Sequence, residues 1–183
     1  METKVANPTA LGLFGFGVTT ILLSLVNLGL LDLSIVIIAV AIVLGGFAEI
    51  IAGAFELKLG NTFAGTVFVS FGLFWLSLVM ILLLPTLGPI VGDLTAGLGV
   101  YLLIFALYSL LLFIDTTKSI LTLKVLLLLV LLLFLALGIY YLTLIAIFLT
   151  LGGIIGVIAG LLGIYMCTGM IINEDWGEEV FKL

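Results

Sequence analysis

The chain has no histidine, no arginine and a single cysteine, Cys167, among 183 residues. Lack of histidine removes the usual metal ligand and general base, and one cysteine cannot close an internal disulfide. Charge is scarce as well: 8% of residues are charged, and five lysines against ten acids leave a net charge of -5. That balance offers no basic patch to nucleic acid or to an anionic membrane surface, so no nucleic-acid partner is expected. Nucleophile, base and orienting group do not converge in any motif, and no phosphate loop occurs. Neither an enzyme nor a cofactor or metal site is expected. What fills the chain is hydrocarbon: 65% of residues are hydrophobic, mean hydropathy is +1.60, and there are 22 glycines. Such a composition is too apolar for a water-soluble fold of this length and predicts an all-α integral membrane protein.

A hydrocarbon core about 30 Å thick takes roughly 20 apolar residues per helix. Breaks at Asp32, "ELKLGN" (56–61), "PTLGPIVGD" (85–93), "DTTK" (115–118) and, more weakly, "GIYYLT" (138–143) divide the chain into six spans near 10–30, 34–55, 64–84, 97–114, 119–138 and 146–171. Together they read as one transmembrane domain over 1–183 with short tails at about 1–9 and 173–183. Lys4 ahead of the first apolar stretch resembles the start of a secretion signal, but the stretch reaches Leu31 with no small-x-small site to close it, and it reads as mature structure. Lysine marks cytoplasmic loops. Lys4, Lys58, Lys118, Lys124 and Lys182 all fall on one side of a six-span layout, opposite Asp32 and Asp93. Both termini are therefore expected in the cytoplasm, with the lipid bilayer of the plasma membrane as the surrounding partner.

Three segment starts recur at intervals of 54 residues: Asn7-Pro8-Thr9, Asn61-Thr62-Phe63 and Asp115-Thr116-Thr117. Each precedes an odd-numbered span, and "GGFAEIIAG" (45–53) parallels "GGIIGVIAG" (152–160) in the even ones. Three divergent helix hairpins, 1–2, 3–4 and 5–6, account for the pattern. Asn, Asp and Thr accept from free backbone N–H groups at a helix start, and Pro tolerates the first turn. Three capped N-termini around one axis would put partial positive charge at the cytoplasmic mouth and favour an anion there.

Residues three or four apart share a helix face. Phe16, Thr20, Ser24 and Asn27 form such a stripe in span 1, and Thr66, Ser70 and Ser77, beside Phe71 and Phe74, form one in span 3. The hydroxyls and amides either line a polar path or bond to neighbouring helices. Span 5, "KVLLLLVLLLFLAL" (124–137), has no polar side chain after Lys124. It contacts lipid or supplies an apolar wall that gates by excluding water. Gly152, Gly156 and Gly160 make successive GxxxG steps for close helix packing. In the parallel segment Gly45 and Gly53 flank Glu49, which turns that carboxyl toward a helix rather than lipid. Intramembrane acids are rare and usually functional. Glu49 is a candidate for proton coupling, with a hydrogen-bonded structural acid as the alternative.

The opening "NPTALGLFGFGVTTILLSLVN", the segment "GNTFAGTVFVSFGLFWLSL" (60–78) and the tail "INEDWG" (172–177) resemble the acetate uptake transporter family over essentially the whole chain. The family signature Asn-Pro-Ala-Pro-Leu-Gly-Leu, followed by a Gly-Phe pair, is matched by Asn7, Pro8, Leu11, Gly12, Leu13, Gly15 and Phe16, while Thr9 and Ala10 depart from it. The resemblance implies six helices per protomer, a hexamer, and one path per protomer for acetate and related small carboxylates. It also implies a constriction of Phe, Tyr and Leu from the three odd helices, which fall here on Phe16, Phe71 and Val130. Asn7, Asn61, Thr20, Ser24, Asn27, Thr66 and Ser70 are the expected path residues. Proton symport and anion channel both remain open as mechanisms. The competing functions are a channel for ammonia or an inorganic anion, and a non-transporting scaffold built on the GxxxG faces.

Overall fold

The computed structural model describes residues 6–86, 88, 94–116 and 119–183; Lys4, Asp93, Thr117 and Lys118 lie outside the described residues. Among the described residues, six helices are long and apolar enough to cross a bilayer: α1 Thr9–Asn27, α2 Ile35–Lys58, α3 Thr62–Leu83, α4 Leu94–Asp115, α5 Leu121–Thr143 and α6 Ala146–Trp176. The protein is a multi-pass, all-α membrane protein. α1, α3 and α5 start, and α2, α4 and α6 finish, at one end of the bundle, here called the terminal end. Lys58, Lys124 and Lys182 lie there, and Asp32 lies in the α1–α2 loop at the far end.

The helix ends refine the expected spans. Asn7 Oδ1 accepts from the Thr9 N–H at 3.0 Å from the position ahead of Pro8, the N-cap of α1, and Asn61 Oδ1 accepts from the Ala64 N–H at 3.2 Å, so of the first two starts only Asn61 is a side-chain N-cap. The third start is not one. Asp115 is the last residue of α4, and α5 begins at Leu121 behind Ile120 with no side-chain cap. Thr116 Oγ1 instead donates back to the Phe113 carbonyl at 2.7 Å, finishing α4. The weak break expected at 138–143 falls later: α5 runs on to Thr143 and the chain reverses at Leu144, φ 58°. α6 continues past the expected 171 to Trp176, where Gly177 at φ 72° ends it. The remaining tail folds back on α6, with Asn173 Oδ1 accepting from Val180 and Phe181 and its Nδ2 donating to the Phe181 carbonyl at 2.7 Å.

Within α2, the stretch Ala41–Ala48 is π-helical, between α-helical Ile35–Val40 and Glu49–Lys58. Such widened turns concentrate at functional sites. Here the widened turn contains Gly45 and Gly46, which let side chains of α3 and α1 press onto the α2 backbone. A Cβ at Gly45 would lie 2.7 Å from Trp75 Cγ and 2.9 Å from Thr19 Cγ2.

Glycines also set which helices approach most closely. A Cβ on Gly53 would sit 2.7 Å from the Gly65 carbonyl oxygen, one on Gly99 3.2 Å from that of Gly138, and one on Gly160 2.7 Å from that of Gly17. These pairs join α2 to α3, α4 to α5 and α6 to α1, neighbours from different expected hairpins, while within the first hairpin a Cβ on Gly15 of α1 would strike the Leu44 carbonyl of α2. α3 and α4 of the expected middle hairpin meet through long side chains instead. Gly152 and Gly156 face α5 and α1, where a Cβ would strike Leu137 Cδ2 and the Ser24 hydroxyl. All five glycines expected to mark packing faces are thus used inside the protomer.

A candidate solute pathway

The bundle contains a cavity of about 130 Å³ whose walls come from α1, α3, α4 and α5. One water needs only about 10–15 Å³ by this measure, so the cavity has room for a small organic solute with water. Phe16, Thr20, Ser24 and Asn27 of α1 lie along it, and Phe71 and Val130 join Phe16 in its lining. Phe71 is 6% and Val130 3% exposed. Toward the far end the wall continues through Leu78 and Leu82 of α3, Leu98 of α4, Tyr141 of α5 and Leu33 of the α1–α2 loop. No lining side chain is charged.

Thr20 keeps unspent capacity: its Oγ1 is buried without a hydrogen-bond partner among the described residues. A polar atom left so in an apolar wall costs about 1–3 kcal/mol. A permeating solute able to donate or accept would recover it.

The stripe expected on α3 divides differently. Thr66 is exposed on the outside of the bundle and does not reach the cavity. Ser70 and Ser77 turn to α4, where their hydroxyls hydrogen-bond those of Tyr108 at 3.1 Å and Tyr101 at 2.6 Å. Bonding to a neighbouring helix is thus the fate of α3's hydroxyls. The cavity face of α3 is aromatic: Phe71, Phe74 and Trp75. Phe71 stacks on Phe134 of α5 with ring centroids 6.0 Å apart, and Phe74 meets Phe134 edge-on at 5.0 Å. These rings pack the wall of α3 against α5. The two Ser–Tyr rungs were missed in the sequence, although both pairs are spaced by seven residues.

Toward the terminal end the packing closes. Leu13, Phe68, Leu126 and Met166 are all buried there. Beyond them stands Glu56, missed in the sequence because it was counted into a loop. It is 3% exposed and accepts from Thr9 Oγ1 and, at 2.8 Å, from Asn61 Nδ2. Asn61 thus caps α3 and binds Glu56, while Asn7 is exposed, with its amide 4.0 Å from Met170 Sδ. The expected ring of three capped starts is corrected by this arrangement: Asn61 alone is a side-chain N-cap, and α1 and α5 start without one.

Glu49 is 1% exposed and turned inward between α1 and α3. Its carboxyl faces the side-chain N–H of Trp75, and Oε1 has no hydrogen-bond partner among the described residues. Gly45 and Glu49, four residues apart, occupy one face of α2, so the Trp75 ring rests on Gly45 while its N–H points to Glu49.

Comparisons with known proteins agree with this architecture. The chain is 42% identical to the succinate-acetate/proton symporter SatP of Escherichia coli over 182 residues, all of this chain and 97% of that protein. It is 33% identical to acetate permease A of Emericella nidulans over 76% of this chain and 50% of that one. Ammonia transport outward protein 2 of Saccharomyces cerevisiae is 42% identical over 63% of this chain and 44% of its own length. The solved structure of the bacterial acetate channel SatP superposes with a TM-score of 0.94 at 43% identity, covering 97% of this chain and 98% of that one. The GPR1/FUN34/yaaH family model matches residues 1–177, and the chain belongs to that family.

Proposed function

We propose that this protein transports acetate, with succinate and other short carboxylates as further substrates, through a path within each protomer. The observation that carries the reading is the uncharged cavity, lined by Thr20, Ser24 and Asn27 together with Phe16, Phe71 and Val130. Its size suits a small solute, and its hydroxyls and amide suit a carboxyl group. The likeness to SatP over the full chain supports the same reading.

Phe16, Phe71 and Val130 act as an apolar constriction, and Thr20, Ser24 and Asn27 guide the solute to it. A bare carboxylate gains no countercharge from this wall and is costly to desolvate. A proton therefore travels with it. The terminal end faces the cytoplasm, as the positions of Lys58 and Lys124 favour. The assembly is the hexamer that the family resemblance implies, and the recurrence of a glycine contact between successive hairpins, α2 to α3, α4 to α5 and α6 to α1, fits an origin in three repeats.

Uptake of labelled acetate by purified protein in liposomes tests this. Uptake is expected above protein-free vesicles and faster under an inward proton gradient. Absence of uptake by folded protein under either condition would overturn it. The ammonia-exporting relative makes ammonia the competing solute. Flux of ammonium without acetate in the same vesicles would favour that reading instead.

A further inference from the structure

We propose that Glu49 is the proton-binding group of this transporter and that Trp75 relays its state to the cavity wall. The inference rests on the transport reading. Glu49 is 1% exposed with Oε1 unpartnered among the described residues, a costly setting for an isolated charge. The helices packed against α2 are α1 and α3. Their sequences, Thr9–Asn27 and Thr62–Leu83, contain no titratable side chain. On α2 itself the other titratable residues are Glu56, seven positions away and bound by Thr9 and Asn61, and Lys58 at the helix end. Seven residues are about 10 Å of helix. No side chain of this packet offers Glu49 a cation at close range, so the neutralising partner is a proton.

Geometry gives that proton an effect. Trp75 lies against Gly45, presents its N–H to the Glu49 carboxyl and forms part of the cavity lining. A carboxylate accepts a hydrogen bond more strongly than its protonated form. Loss of the proton thus tightens the hold on the indole, and its gain frees the ring beside the solute. On α1, Thr19 abuts Gly45 and the next residue, Thr20, lines the cavity; the hydroxyl of each is buried without a partner. They provide free hydrogen-bonding groups on the side of the cavity nearest Glu49. The π-helical turn Ala41–Ala48 ends immediately before Glu49, so the acid sits where α2 is least regular.

Trp75 supplies a readout independent of transport. With Trp176→Phe, Trp75 becomes the single tryptophan of the chain. Its emission in liposomes should titrate with pH, and Glu49→Gln, which keeps an acceptor but cannot exchange a proton, should abolish that titration. An unchanged titration in Glu49→Gln, or none in the Trp176→Phe protein, would overturn the proposal. In uptake assays, one proton per acetate gives about tenfold accumulation per pH unit of inward gradient. Glu49→Gln should lose this accumulation above protein-free vesicles. Retained accumulation in that variant would also overturn the proposal. If the unsubstituted protein moved no acetate at all, the transport reading would fail, and the emission titration would still decide whether Glu49 binds the proton.

Discussion

The far and terminal halves of the bundle use polar groups in opposite ways. In the far half, Thr20 keeps an unpartnered hydroxyl, and Ser24 and Asn27 join it along an uncharged cavity. In the terminal half, the carboxylate of Glu56 is already engaged by Thr9 and Asn61, and Leu13, Phe68, Leu126 and Met166 fill the space above it. One half is prepared for a solute and the other has satisfied itself. Phe16, Phe71 and Val130 stand where the two halves meet.

The sharpest way to break this contrast is at that boundary. Val130→Trp should fill the space beside Phe16 and Phe71 and reduce acetate uptake to the level of protein-free vesicles, with the variant still monodisperse in detergent. Undiminished uptake would remove Val130 from the path. Next in size, Glu56→Ala strips Thr9 and Asn61 of their acceptor. It should lower stability by about 1–3 kcal/mol, read as a reduced unfolding midpoint in detergent, and weaken the closure of the terminal half. Ser77→Ala leaves both halves intact but removes one rung to Tyr101. A cost of about 0.5–1.5 kcal/mol is expected, with uptake retained. Smallest is Thr66→Ala, outside the bundle, where stability should stay within about 0.5 kcal/mol and uptake should not change. A transport defect there would return Thr66 to the path.

The sequence carried the frame of this picture because the bilayer leaves a chain so few choices. Six apolar lengths, the Asn61 cap and the α1 stripe through Thr20, Ser24 and Asn27 follow from span length, helix periodicity and the needs of free N–H groups. Less legible was which partner a polar side chain takes. Ser70 and Ser77 have the spacing of a path, but the tyrosines that claim them sit on α4, about 30 residues away in the chain. Glu56 looked like loop because it lies beside Lys58 and Gly60, yet α2 continues through Lys58 and turns the acid inward. "DTT" failed as a cap for the same reason in reverse: its Asp ends α4 rather than starting α5. Helix ends depend on tertiary packing more than helix interiors do.

The π-helical turn of α2 has one more consequence, for how this helix tolerates insertion and deletion. A widened turn accommodates one residue beyond what a regular helix would hold. Deleting a single residue such as Val43 would let the stretch relax to ordinary α-helix while Ile35–Val40 keeps its present facing relative to Glu49, because the widened turn is what absorbs the extra residue. Ile37 and Ile38 would stay buried on the same side as Glu49 and Ala52. The same deletion from the regular part of α2, between Glu49 and Lys58, would rotate the two sides of the cut by about 100° and should disturb the bundle far more.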